Sequence, residues 1–186
     1  MKIAFILPSL ANKGPIVFTK YLIEGLKGKV DYIEVFYFKD IVELDLGVPT
    51  KQISFFEKID FDSFDIVHSH MIKADLYNTI FKYKTRNKSI STIHSYIGED
   101  LQYLYKPIKA FLFLQLWKFA LRNINKFIVS SEDMQNYMNK ILNENKDYPL
   151  IGYGIPKKEF KEIDLKERQL LEDLKSQYKV IGSCGL

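Results

Sequence analysis

The chain has 186 residues, of which 47% are hydrophobic and 27% charged. That balance excludes a disordered tail, a collagen-like repeat and a coiled coil. Its net charge of +4 falls short of the dense basic patches of nucleic-acid proteins, so no nucleic-acid partner is expected. A chain of this length buries about 70% of its unfolded surface, so neither disulfides nor a metal is needed to hold it together. The one cysteine, Cys184, has no intrachain partner and is expected as a small core atom. Lys2 and the apolar run after it superficially resemble a signal peptide, but Pro8 ends the run early and a buried first strand explains the same residues. A cytoplasmic protein is therefore expected, and no run reaches the roughly 18 apolar residues of a spanning helix.

In chain order, residues 2–7 predict a strand apolar on both faces, followed by a turn at 9–14 and a helix with Pro15 in its first turn. Phe18, Leu22 and Leu26, with Ile23 beside them, predict that helix's buried stripe, and Gly28 its end. Strands are predicted at 32–38, 52–54, 65–69, 89–94, 126–129 and 149–152. Helices are predicted at 73–84, at 99–123 with a break at Pro107, and from a Ser131 cap to about 143. Strand and helix alternate throughout, which predicts an α/β fold with a doubly wound, Rossmann-like parallel sheet. From Pro156 the pattern changes. Residues 157–178 form a charged connector with helical spacing, and 179–186 read as a new buried strand, so the expected organisation is a domain at 1–156, the connector, and the first strand of a truncated further domain.

In an open α/β sheet ligands bind beyond the carboxyl ends of the strands. That rule selects residues 10–15, Ser69-His70, His94-Ser95 and Tyr153-Gly154. At Lys13-Gly14 a helix N-terminus meets a strand tip, where free amides and the helix dipole favour a phosphate or carboxylate. Neither a dinucleotide fingerprint nor a P-loop is present. His94 is a strand-tip imidazole, able to donate to a substrate hydroxyl, to act as acid or base, or to serve structurally. His68 and His70 are expected to face opposite sides of their strand and so not to chelate one metal. Glu159 and Glu167 read as solvated connector residues.

Asp65-Ile-Val-His-Ser-His70, Thr92-Ile-His94, Phe127-Ile-Val-Ser-Ser-Glu132 and Gly152-Tyr-Gly-Ile-Pro156 with Phe160, in this order and spacing, resemble the N-terminal domain of GT-B glycosyltransferases of the group 1 (family 4) type. The resemblance implies one half of a two-domain fold, whose N-terminal wall holds the acceptor and whose C-terminal wall holds a nucleotide sugar. It implies retaining transfer with no metal or other cofactor. It further implies that Gly14 approaches phosphate or acceptor, that His94 contacts the reacting sugar as the catalytic residue, and that His70 lines the cleft. Lys13, Ser95, Tyr153 and Gly154 complete the expected cleft. Lys13 stands where the family has a second glycine, and Tyr153 and Pro156 replace the usual Asn and Asp of the turn before the linker.

The helix around 110–124 is apolar on more than one face. Phe113, Trp117, Leu121 and Ile124, flanked by Leu114 and Leu116, are expected against the sheet. Leu112 and Phe119 fall outside with Lys118 and Arg122, a mixture suited to an anionic membrane surface. The expected function is the acceptor-binding domain of a nucleotide-sugar glycosyltransferase in bacterial surface polysaccharide or glycolipid synthesis, its acceptor a saccharide or lipid-linked saccharide, and its location cytoplasmic or peripheral on the inner membrane face. On its own such a domain transfers nothing. Two other readings stay open. One is a GT-B-fold nucleotide-sugar epimerase, with Glu99-Asp100 as its nearest carboxylates, and the other a noncatalytic α/β binding module.

Overall fold

A computed structural model describes residues 1–81, 88–145, 148–154 and 164–179. Contacts divide the chain into two units, Met1–Ile155 and Pro156–Leu186. The first unit contains strands β1 (Lys2–Leu7), β2 (Tyr32–Tyr37), β3 (Thr50–Gln52), β4 (Ile66–His70), β5 (Lys88–Thr92) and β6 (Lys126–Ile128). Its helices are α1 (Gly14–Leu26), α2 (Met71–Phe81), α3 (Ile97–Leu104), α4 (Pro107–Asn123) and α5 (Glu132–Leu142). The second holds α6 (Leu165–Gln177), opened by the Asp164 carboxylate, which accepts from the Lys166 amide. Glu167 sits exposed in its first turn, while the expected strand at 179–186, with Cys184, and also Glu159, fall almost entirely outside the described residues.

All pairings are parallel, in the order β3-β2-β1-β4-β5-β6. The sheet is the α/β, doubly wound architecture expected from the alternation of elements. Period-two alternation sorts β1 cleanly. Ile3, Phe5 and Leu7 join Ile16 and Ile23 of α1 on one face, while Ala4 and Ile6 join Ala74 and Tyr77 of α2 on the other. A third cluster packs Trp117 and Leu121 of α4 and Met134 and Met138 of α5 with Phe127.

Several local expectations shift. The buried stripe of α1 is Ile16, Thr19 and Ile23, with Leu22 and Leu26 at its margin and Phe18 turned toward the strand tips. A four-residue repeat advances about 40° beyond a full turn, so Phe18, Leu22 and Leu26 wind off the face that the sheet covers. Strand β3 lies two residues earlier than expected and is exposed throughout, as an edge strand can be. The segment expected as a strand at 149–152 makes only one bridge, Leu150 with Val129. Leu116 of α4 is 47% exposed rather than flanking the buried face, because Ala110, Trp117, Ala120 and Leu121 fill that face. Pro107 does separate α3 from α4, and the Ser131 hydroxyl caps α5 by accepting from the Met134 amide.

Beneath α2 and α4 the core is polar. The Asp75 carboxylate accepts from the Ser69 hydroxyl and from the Trp117 indole, each at 2.7 Å. The Asn78 amide donates to Ser69 at 3.1 Å. Burial pushes the Asp75 carboxyl up to about 6 in spite of these donors. Trp117→Phe should therefore cost about 1–3 kcal/mol, the range for stranding a buried polar partner. In urea unfolding the loss should shrink below about pH 6, where Asp75 takes up a proton. An equal loss at all pH values would mean that the indole contributes packing alone.

Candidate active site

The chain leaves β1 and β4, neighbours in the sheet, toward opposite faces, α1 covering one and α2 the other. Neither helix covers the carboxyl ends of these two strands, and a crevice opens there. Strand β4 runs into α2 with no intervening loop: His70 ends the strand and Met71, at φ 72°, begins the helix. A left-handed residue with a side chain costs about 1–2 kcal/mol, so packing on both sides must hold this turn. It sets His70 at the strand tip. From β1 the chain reaches α1 through Lys13, the residue before the helix, and from β5 it passes the buried Ile93 to His94.

The first turn of α1 is less open to an anion than its position suggests. Pro15 has no amide proton, Ile16 and Val17 donate to the Lys13 carbonyl at 2.9 Å, and the Asn12 amide is taken by the Glu43 carboxylate at 2.7 Å. Gly14 itself lines a cavity of the crevice. A Cβ on Gly14 would meet nothing within 4 Å, so the glycine leaves open space rather than relieving a clash.

His68 and His70 lie on the same face of β4, not on opposite faces as expected. Residues two apart in a strand share a side, and the rings stack with centroids 4.5 Å apart. His94 continues the column 5.1 Å from His70, and Tyr153 lies almost parallel beyond it. Hydrogen bonds link the outer members: His70 Nδ1 to His94 Nε2 at 2.8 Å, and His94 Nδ1 to the Tyr153 hydroxyl at 3.1 Å. His68 Nε2 instead meets the Thr92 hydroxyl at 2.8 Å. Phe18 sets its ring edge-on against both His94 and Tyr153. Stacked rings hold their nitrogen lone pairs in near-parallel planes, and among the described residues no group of three or more His, Cys, Asp or Glu is placed to hold a metal.

His94 and Pro15 line two cavities in common. The first, of about 330 Å³, is lined by Gly14, Phe18, Tyr21, His94, Tyr153 and Gly154 among others. The second, of about 380 Å³, also includes Met71, Ser95, Asp100 and Tyr105. Of the expected cleft residues, Gly14, His94, Tyr153 and Gly154 thus come together, and Ser95 joins His94 in the neighbouring cavity. Lys13 is exposed and lines neither, and His70 is fully buried behind His94 instead of lining the cleft. Thr19 escaped the sequence reading and Phe18 entered it only as a core residue, although both stand about one helical turn beyond Gly14, while Asp100, there a carboxylate of the epimerase alternative, lines the second cavity.

Burial dominates the electrostatics. It lowers His68 to about 3 and His94 to about 4, and holds His70 well below its ordinary value, with repulsion between the imidazoles adding to the shifts of His68 and His70. All three rings are therefore neutral at pH 7. Burial also raises the Tyr153 phenol. A neutral imidazole can accept or donate a hydrogen bond at the cleft but brings no charge.

A sequence model of Glycosyltransferase Family 4 matches residues 35–156. The O-antigen biosynthesis glycosyltransferase WclY of Escherichia coli is 30% identical over 145 residues, covering 74% of this chain and 40% of the relative. The chain thus spans about two fifths of the length of that curated relative. Among solved structures, Anabaena HepE in complex with UDP superposes with a TM-score of 0.66 at 16% identity, over 83% of this chain and 44% of that one. Sucrose-phosphate synthase from Thermosynechococcus elongatus gives 0.56 at 16% identity, over 75% and 44%. At these identities the structures establish a shared fold.

The neutral histidine column makes stability depend on pH. Its folded values lie below the ordinary 6.5, so the unfolded chain binds protons that the folded chain refuses. Stability is complete above about 6.5 and falls as pH drops toward 4. Asp75 opposes this between its ordinary 3.8 and about 6, since there the folded chain holds the extra proton. Three histidines against one carboxylate leave the balance on the side of the histidines, so the net effect of acidification is a loss of stability. Urea midpoints measured through this window should fall steeply on acidification, whereas a flat profile would mean that the folded protein protonates its histidines.

Proposed function

The chain belongs to Glycosyltransferase Family 4, and on that footing we propose that it forms the acceptor-facing wall of a nucleotide-sugar-dependent, retaining glycosyltransferase of bacterial surface polysaccharide or glycolipid synthesis. The observation that carries this reading is His94, which lines two cavities at the crevice where the winding of the sheet reverses. In this reading His94 contacts the reacting sugar and the Gly14 amide approaches a phosphate or the acceptor. A nucleoside diphosphate sugar binds mainly to a further domain beyond this wall. The division of contacts after Ile155 and the greater length of the relatives support that organisation.

A ring neutral at pH 7 contributes through hydrogen bonding and position, with no change of charge. No protein nucleophile is assigned. Of the Glu99-Asp100 pair that an epimerase would use, Glu99 is engaged by the Tyr137 hydroxyl and only Asp100 lines a cavity beside His94.

The outer side of α4 supports peripheral contact with an anionic membrane. Leu112 and Phe119 are exposed, together with Ile108 and Phe111, while Lys118 is half-buried and the Arg122 guanidinium donates to the Leu142 carbonyl. Among the described residues no helix is long and apolar enough to cross a membrane. Co-sedimentation with phosphatidylglycerol vesicles should be strong for the chain and lost in a Leu112→Asp, Phe119→Asp variant. Equal sedimentation of both would remove α4 as the contact.

His94→Gln tests the central reading. A glutamine amide can still donate to His70 but presents no imidazole nitrogen to the cleft. In the full-length protein, assayed for nucleoside diphosphate release from a panel of nucleotide sugars, turnover should fall about 10²-fold or more with the melting temperature nearly unchanged. Turnover at the wild-type rate would make His94 structural.

A further inference from the structure

We infer that His70 is a positioning residue that fixes the tautomer of His94, so that His94 turns an unprotonated Nδ1 toward the cleft to receive a donating hydroxyl, in the place now filled by the Tyr153 phenol. The inference rests on the reading of His94 as the residue that meets the sugar, and it deepens that reading: the group recognised is a hydroxyl acting as donor.

The direction of the hydrogen bonds follows from one end of the chain of contacts. The Thr19 hydroxyl has a single proton and donates it to the Pro15 carbonyl, one helical turn back, at 2.8 Å. Its oxygen then has only lone pairs to offer His70 Nε2, 3.5 Å away, so the proton in that contact belongs to Nε2. His70 is fully buried among Phe5, Phe18 and its neighbouring imidazoles, an environment that keeps it neutral. A neutral ring protonated at Nε2 is bare at Nδ1. The 2.8 Å contact between His70 Nδ1 and His94 Nε2 is then a hydrogen bond only if His94 supplies the proton. Neutral His94, protonated at Nε2, is in turn bare at Nδ1, and the Tyr153 hydroxyl 3.1 Å away donates to it. Every link runs one way, from Tyr153 through His94 and His70 to Thr19 and the Pro15 carbonyl.

Tyr153 is the replaceable member. It is 46% exposed, whereas Thr19 and His70 are fully buried, and it lines the same cavity as His94. A substrate hydroxyl that displaces the phenol meets an acceptor already oriented. Had Tyr153 set the tautomer, its removal would free the pair; because the pattern is imposed from Thr19 and His70, its removal should not.

The test is nitrogen-15 NMR of histidine-labelled chain, which separates protonated from bare ring nitrogens. Wild type should show His94 protonated at Nε2 and bare at Nδ1, and Tyr153→Phe should show the same. His70→Phe keeps a ring among Phe5 and Phe18 but offers no acceptor, and His94 should lose the single pattern. His70→Asn restores an acceptor oxygen near the Nδ1 position and should restore it. In the full-length protein, turnover should fall about tenfold in His70→Phe and recover in His70→Asn. A protonated Nδ1 in wild type, or a pattern indifferent to His70→Phe, overturns the inference. If the NMR pattern follows His70 as described while His94→Gln turns over at the wild-type rate, the positioning stands and it is the sugar-contact reading that fails.

Discussion

Two crossovers that leave adjacent parallel strands in opposite directions cannot both roof over the strand tips, and every feature of the site follows from that constraint. Because α1 covers one face of the sheet and α2 the other, the carboxyl ends of β1 and β4 stay open between them. Into that opening come the start of α1, the last residue of β4, the residues after β5 and Tyr153 from after the Val129–Leu150 bridge. None of these is near another in sequence. Their convergence is a property of the winding.

Strand β4 carries an unusual load for the middle of a sheet. Its outward alternation places His68 and His70 against α1's face and Ser69 against Asp75 and Asn78 on the other. Buried polar groups are costly unless paired, and the bonds of Ser69 to the Asp75 carboxylate and the Asn78 amide nitrogen exist in one register only. A slip of one residue would set imidazoles against the Asp75 carboxylate and Ser69 against Phe5. Polar groups on both faces therefore specify the alignment of β4 as firmly as its apolar neighbours stabilise it, and the same alignment delivers His70 to its place behind His94.

Much of this was legible in the chain itself. The alternation of strand and helix segments predicts the parallel sheet, and the strand-tip rule selects Gly14, His94, Tyr153 and Gly154, along with Lys13 and His70, which line neither cavity. What escaped depended on facing rather than on order. The Phe18, Leu22 and Leu26 repeat predicts a core stripe but drifts around the helix, so Phe18 abuts His94 instead. The shared side of His68 and His70 was in the sequence, since any two strand residues separated by one point the same way. The occupancy of the amides around Gly14 was not, because Glu43, which takes one of them, is brought there by a loop between β2 and β3. The Thr19 anchor was equally hidden, since it becomes visible only when α1 is laid over β4.

The left-handed Met71 bears on how this cleft can diversify. With no residues between β4 and α2, that edge of the crevice offers nowhere for insertions to accumulate, and lengthening it would detach His70 from the strand that aligns it. Change is channelled to the opposite rim, where the chain runs from His94 through Ser95 and Tyr96 into α3 and on to the α3–α4 corner. Descendants of such a domain would keep one fixed jaw and vary the other, acquiring new substrates by rebuilding a single side of the opening.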